Sequence, residues 1–251
     1  MSADIVLETR GLTREFSGFT AVNHVDLRVR RGSIHALIGP NGAGKTTCFN
    51  LLTRFLPVSS GKIYYEGRDI TAVSPDRLVA MGLARSFQIS AVFPHLSLLE
   101  NVRLALQRKV GTSYHFWRSV ASLTHLNARA QEVLASVGLG DMMDTKAVDL
   151  SYGRKRALEL ATTLATDPSV LLLDEPMAGI GHEDVQTLVE LIRTAAKNRT
   201  VLMVEHNLSV VSSLCDVVTV LRRGEILAEG SYQAVSTDPQ VIEAYLGVVD
   251  D

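Results

Sequence analysis

The sequence predicts an α/β fold: a mostly parallel sheet with helices on both faces, interrupted by a helical insert. Three observations carry that expectation. Short runs rich in Val, Ile and Leu recur at 33–38, 170–173, 200–204 and 217–221, as strands buried on both faces do. Helix-period segments at 183–197 and 207–214 alternate with them, and strand–helix–strand order implies parallel pairing. Between about 97 and 165 the pattern is mostly helical, with few turn signals.

Composition bounds the problem. The chain has 251 residues and 27.3 kDa, one large domain or two small ones at roughly 150 residues each. Apolar residues make up 46% and charged residues 21%, which is ordinary globular usage. A chain of this length buries roughly 70–75% of its unfolded surface and needs no disulfide or structural metal. Disorder, collagen-like repeats and disulfide scaffolds are excluded. A net charge of −2 and a pI of 6.4 argue against a dedicated nucleic-acid binder. Cys48 and Cys215 have no C-x-x-C partner and read as reduced structural thiols in a reducing compartment. Mean hydropathy is +0.15, yet no uncharged apolar run reaches the roughly 18 residues that span a bilayer. Residues 1–10, with Asp4 and Glu8, lack the apolar centre of a signal peptide. The expectation is a soluble intracellular chain, able to dock on something that is not soluble.

The elements follow in order. Residues 5–8 and 25–29 read as strands, with Arg31-Gly32 as a turn. The strand at 33–38 runs into a glycine-rich loop, and 46–55 then reads as helix, ended near Pro57. A strand at 62–66 closes at Gly67, and Ser74-Pro75-Asp76 starts a helix with a cap, a proline at the first helical position and an acid. Leu98, Leu99, Val102, Leu104, Ala105 and Leu106 form one apolar stripe; Leu126, Ala130, Val133, Leu134 and Val137 form another, stopped at Gly138. A third helix spans 151–166 and ends at Asp167-Pro168. The mildly basic Gln107, Arg108, Lys109, His115, Trp117, Arg118, His125 and Arg129 read as a solvated helix face around one buried Trp.

Gly39-Pro40-Asn41-Gly42-Ala43-Gly44-Lys45-Thr46 matches G-x-x-x-x-G-K-[ST] in full. Glycines let the loop curl so that backbone N–H groups point at phosphate oxygens, and the following helix adds its positive end. Lys45 reaches the β- and γ-phosphates, and the Thr46 hydroxyl coordinates Mg²⁺. A second site follows at Leu171-Leu172-Leu173-Asp174-Glu175. A buried strand ending in Asp brings a carboxylate to the sheet edge where the metal sits. Asp174 is expected to hold Mg²⁺, directly or through water, and Glu175 to polarise an attacking water.

These residues resemble an ATP-binding cassette, the nucleotide-binding subunit of an ABC transporter, over nearly the whole chain. The resemblance implies a P-loop NTPase fold with a RecA-like core, an N-terminal antiparallel β subdomain and a helical subdomain. It implies one ABC ATPase domain over 1–251, with 1–88 and 166–251 as the catalytic core and 89–165 as the helical part. Gln88 lies where the family has its Q-loop glutamine, which implies contact with Mg²⁺ and the γ-phosphate and a link to the helical insert. Leu150-Ser151-Tyr152-Gly153-Arg154 is similar to the signature LSGGQ, with Tyr152 and Arg154 as departures; Ser151 and Gly153 are then expected to bind phosphate. His206, 31 residues after Glu175, matches the switch histidine. The segment 177–182 lies at the D-loop, with Gly181 where the family commonly has Asp. Phe16 takes the place of the aromatic that stacks on adenine, with Val22 as its apolar floor. Asn41, Gly42, Ala43, Gly44, Lys45, Thr46 and Thr47 complete the expected nucleotide contacts.

Residues 82–88, the long insert through Trp117 and the ending at 242–247 are similar to the cassettes of branched-chain amino-acid (Liv-type) importers. Urea and short-chain amide importers share much of this pattern. A soluble non-transport ABC ATPase is a further alternative, although those carry long heptad coiled coils and this chain has no sustained heptads. What the resemblance implies is an ATPase with ATP and Mg²⁺ as cofactors, peripheral on the cytoplasmic face of a bacterial cell membrane. Its implied partners are integral membrane permease subunits, a second cassette (a copy or a paralogue) and, indirectly, a periplasmic or extracellular solute-binding protein; nucleic acid is not among them.

Overall fold

The structure is a computed structural model and describes residues 4–86, 92–110 and 125–246. Gln88 and Trp117 lie outside the described residues. The chain opens with strands β1 (Ile5–Phe16), β2 (Phe19–Val25) and β3 (Arg28–Arg30), then crosses to a second sheet as β4 (Ile34–Ile38). Helix α1 (Lys45–Leu52) leads back to the first sheet as β5 (Ser60–Tyr65) and β6 (Arg68–Asp69). Helix α2 (Pro75–Ala80) precedes β7 (Leu83–Ser86) of the second sheet, and helices α3 (Leu98–Val110), α4 (Asn127–Ser136) and α5 (Tyr152–Ala165) follow and pack on one another. The alternating end of the chain comprises β8 (Val170–Asp174), α6 (His182–Ala196), β9 (Thr200–Val204), α7 (Leu208–Leu214), β10 (Val217–Arg222), β11 (Glu225–Gly230), α8 (Tyr232–Ser236) and α9 (Pro239–Leu246).

The first sheet is antiparallel, in the order β2-β1-β5-β6, with β3 also paired to β1. The second runs β11-β10-β4-β9-β8-β7 and is parallel except at β11. Side chains alternate across each central strand, so one sheet feeds two cores. Leu37, Val170, Leu172, Leu202 and Val204 pack with Phe49 and Leu52 of α1 and with Ile63 and Tyr65 of β5. Ala36, Ile38, Leu171, Leu173, Val201 and Met203 pack on the other side with the helices that follow β7. Each large apolar side chain so buried contributes about 1.5–3 kcal/mol.

Several boundaries depart from the sequence expectation for identifiable reasons. β1 continues to Phe16 rather than stopping at Glu8, because buried Thr9 and Thr13 sit inside it and hide the apolar alternation. The expected strand at 25–29 is instead two strands. Thr9 Oγ1 spans the break, donating to Val25 O at 2.7 Å and accepting from Leu27 N at 2.8 Å. Helix α1 ends at Leu52: Thr53 Oγ1 bonds back to Phe49 O at 2.8 Å, and Arg54 turns left-handed with φ 60°. β7 and β11 complete the second sheet without having been expected as strands. Ser74 and Ser151 stand at helix starts as expected, but neither hydroxyl makes a capping bond; Asn207 does, accepting from Val210 N. Cys48 and Cys215 are free thiols, both pushed up to about 12 chiefly by burial. Among the described residues no helix is long and apolar enough to cross a membrane.

His35 ties β4 to β10 from inside the sheet. Thr219 Oγ1 donates its one proton to Glu229 Oε2 at 2.6 Å, so His35 Nε2 donates to Thr219 Oγ1 at 2.7 Å. Burial, with a smaller push from Arg30, lowers the His35 imidazole to about 4. A folded-state value below the unfolded one means that stability is complete above about 6.5 and is lost as pH falls towards 4. Removing the imidazole therefore flattens that loss, which amounts to about 3 kcal/mol. Urea unfolding of the full chain and of His35→Gln between pH 4 and 7 checks this; equal pH slopes in the two proteins would count against it.

Candidate nucleotide site

Strand register gathers the site. Leu37 of β4, Val204 of β9 and Asp174 of β8 stand in one row across three parallel strands. Immediately beyond that row lie the glycine-rich loop, Glu205-His206 and Glu175, all at the same edge of the sheet. Lys45, Asp174, Glu175 and His206 are thus brought to one edge from sequence positions far apart.

The loop itself is held by the β10–β11 turn. Gly224 N donates to Ala43 O at 3.0 Å. At Gly39 a Cβ would stand 2.2 Å from Leu221 O, and at Gly44, with φ 96°, 2.4 Å from Ala21 O. Both positions require glycine. The first i to i−4 bond of α1 runs from Cys48 N to Gly44 O, so the amides of Lys45, Thr46 and Thr47 precede it. They point out of the helix start with its positive end. Lys45 is only 8% exposed; its Nζ donates to Gly39 O at 2.7 Å and to Pro40 O at 3.0 Å. Burial pulls the Lys45 ammonium below its ordinary value, while the charge of Glu175 pulls it back up. Glu175 therefore lies within electrostatic reach of the loop lysine. Asn41, Gly42 and Thr46 are exposed around it, and Ala43 is buried behind.

Asp174 is buried at 3% exposure and carries a partner that sequence reasoning missed. Arg85 Nη2 donates to Asp174 Oδ2 at 2.5 Å. Removing one member of such a buried pair costs about 3–5 kcal/mol, because the other charge is left uncompensated. Glu175 adopts a left-handed backbone, φ 46°, and its amide donates to Val204 O at 3.0 Å. Glu205 is the second omission. Its fully buried carboxylate accepts from Met177 N at 2.9 Å, His206 N at 3.0 Å and Asn207 N at 3.1 Å. It therefore clamps the loop after Glu175 to the loop that carries His206, itself exposed. No local pattern signals either residue; Arg85 is recognisable through Asp174, 89 positions on, and the clamp at Glu205 through Met177, 28 positions back.

Other expected site residues lie apart. Ser151 and Gly153 begin α5, and among the described residues no hydrogen bond or ion pair joins them to the glycine-rich loop. A Cβ on Gly153 would meet Asp184 Oδ2 at 2.4 Å, and one on Gly179 would meet the Tyr152 hydroxyl at 3.1 Å. The signature segment thus leans on residues 179–184 of its own chain. Tyr152 is fixed there by Arg156, whose Nη2 donates to its hydroxyl at 2.8 Å. Gly181, where an Asp is common, caps α6. Phe16 is 38% exposed, with the Arg14 guanidinium 4.5 Å from its ring centre. Val22, on β2 opposite Arg14 of β1, is fully buried in the first core.

The oxygen donors suit Mg²⁺, which takes few protein ligands and fills its shell with phosphate and water. The Thr46 hydroxyl is exposed on the first turn of α1, and the Asp174 carboxylate ends β8. Among the described residues no cluster of three or more His, Cys, Asp or Glu could form a different metal centre.

Comparison with known proteins gives the family. Residues 22–178 match the family model described as ABC transporter, and 225–251 match that of the branched-chain amino acid ATP-binding cassette transporter. The chain is 36% identical to the high-affinity branched-chain amino acid transport ATP-binding protein BraF of Pseudomonas aeruginosa, covering 96% of this chain and 98% of the relative. It is 33% identical to the probable branched-chain amino acid transport ATP-binding protein LivG of Archaeoglobus fulgidus, covering 98% and 96%. A crystal structure of an ATP-binding cassette of an ABC transporter in its ADP conformation aligns with a TM-score of 0.84 at 29% identity, over 97% of this chain and 99% of that one. A nucleotide-free cassette aligns at 0.82 and 28%, over 96% and 98%. The chain belongs to the ABC transporter family of ATP-binding cassettes. It is an ATPase of that family.

The Glu205 clamp makes a measurable prediction. Glu205→Ala leaves three backbone donors without an acceptor and should destabilise the fold by about 3 kcal/mol; Glu205→Gln, which keeps a carbonyl oxygen, should lose less. Thermal unfolding of both variants checks this, and an unchanged midpoint in Glu205→Ala would contradict the clamp.

Proposed function

We propose that this chain energises an importer of branched-chain or other hydrophobic amino acids, working as one of two cassettes on integral membrane permease subunits. The observation that carries the reading is the row of three strand ends, which sets Lys45, Asp174, Glu175 and His206 around one loop. The solute class rests on the names of the relatives and on the match at 225–251.

In this reading the amides of residues 42–47 and Lys45 hold the triphosphate. Thr46, Asp174 and Gln88 hold Mg²⁺, which when bound offsets phosphate charge. Glu175 accepts a proton from the attacking water as the Pγ–O bond to the leaving ADP breaks, and His206 orients that water and the γ-phosphate. Phe16 gives adenine a π-face, with Arg14 behind it. Ser151 and Gly153 serve a second cassette's nucleotide, as the resemblance of 150–154 to the family signature implies. ATP then favours the paired state through its higher affinity for it. The core at 1–88 and 166–251 binds nucleotide, and 89–165 passes the movement to the permease at the cytoplasmic face of the membrane. A solute-binding protein supplies the permease from the other side.

Nucleotide binding and turnover test the division of roles. Lys45→Ala should abolish tight Mg²⁺–ATP binding. Glu175→Gln should retain binding while its hydrolysis rate falls by about 100-fold or more; normal turnover in Glu175→Gln would remove Glu175 from the chemistry.

A further inference from the structure

Arg85 stands on β7, between the strand that ends in Asp174 and the helix that begins at the glycine-rich loop. Its guanidinium engages both. Nη2 donates to Asp174 Oδ2 at 2.5 Å, while Nη1 donates to Asn50 Oδ1 at 2.7 Å and to Thr53 Oγ1 at 3.1 Å. The rings of Phe49 and Phe55 lie 5.4 Å and 5.5 Å from its central carbon. Phe49 and Asn50 belong to α1, whose first two residues are Lys45 and Thr46. One planar fork therefore joins the β8 carboxylate to the phosphate-binding helix, across 89 residues of sequence. The pair is sheltered, with side-chain exposures of 11% and 2%, so its geometry is little averaged by solvent. An ammonium could carry the charge but could not fill the fork.

The contact has two consequences for a metal held by Asp174. Engaging Oδ2 fixes the plane of the carboxylate and directs its other oxygen. A positive charge beside the carboxylate also opposes a divalent cation, at short range and with little screening. Orientation is gained while metal affinity is reduced.

We propose that Arg85 is a positioning residue of the hydrolytic site. It holds Asp174 by Oδ2 against α1, so that the second oxygen would be left to Mg²⁺ together with Thr46, and it sets the Mg²⁺ requirement of hydrolysis. This rests on the reading of Asp174 as a metal ligand. Arg85 touches no reacting atom; its effect passes through Asp174.

Two measurements on the full chain test this in Arg85→Lys, Arg85→Gln and Asp174→Asn: steady-state hydrolysis titrated with Mg²⁺ at saturating ATP, and Mn²⁺ affinity with a non-hydrolysable ATP analogue, read by electron paramagnetic resonance, which should move with the Mg²⁺ midpoint. Both Arg85 variants should lose roughly 10- to 100-fold in kcat, as misplaced catalytic groups do, with the KM for ATP unchanged. Arg85→Gln, without the opposing charge, should reach half-maximal rate at several-fold lower Mg²⁺. Arg85→Lys, which keeps the charge and loses the fork, should keep the parent Mg²⁺ requirement. A purely structural ion pair would lower the unfolding midpoint and leave the Mg²⁺ titration of the folded protein unmoved. Parent kcat in Arg85→Lys overturns the proposal, as does an unchanged Mg²⁺ midpoint in folded Arg85→Gln. If Arg85→Gln does not fold, the kcat of Arg85→Lys decides. Full activity with parent Mg²⁺ dependence in Asp174→Asn sinks the metal-ligand reading and the proposal together. An inactive Asp174→Asn beside an unaffected Arg85→Lys sinks the proposal alone.

Discussion

Parallel pairing of β4, β9 and β8 sets the C-terminal ends of three strands side by side, and the site depends on that register. Leu37, Val204 and Asp174 share one row; a one-residue slip in β8 would turn Asp174 to the opposite face. The register is specified by burial on both faces. Leu171 and Leu173 belong to one core, Val170 and Leu172 to the other, so a slip would exchange side chains between two close-packed cores.

Around that row, a second set of polar contacts ties the loops to the strands. Gly224 holds Ala43, Glu205 holds the amides of Met177, His206 and Asn207, and Arg85 holds Asp174 against α1. Each is buried or half-buried, where an electrostatic contact is stronger than in water and an unpaired partner is costly. The loops of the candidate site are thereby fixed by groups set behind them. On the other flank, Tyr152 and Gly153 bring the start of α5 against residues 179–184, so the departure at Tyr152 is absorbed by a contact within the chain.

The glycine-rich loop and the helix after it were legible because their signal is local: glycines, a lysine and a hydroxyl at fixed spacing after an apolar strand. β8 and β9 were legible because strands buried on both faces are nearly continuous apolar runs. β1 was cut short because Thr9 and Thr13 are buried polar residues satisfied by partners on other strands, which a local pattern does not register. β7, at four residues, and β11, half-exposed with two glutamates, carry weak periodicity. Arg85 and Glu205 are charged residues whose meaning comes from partners up to 89 positions away. Val22 is fully buried in the first core, a placement that its neighbours in sequence do not signal.

The most direct test of the account is a structure of the full chain with bound ATP and Mg²⁺. The triphosphate should lie along the amides of residues 42–47 with Lys45 beside it, and the metal should sit between the Thr46 hydroxyl and the Asp174 carboxylate. A triphosphate bound elsewhere, or a metal with Asp174 turned away from it, would contradict the central claim that the three strand ends form the hydrolytic site.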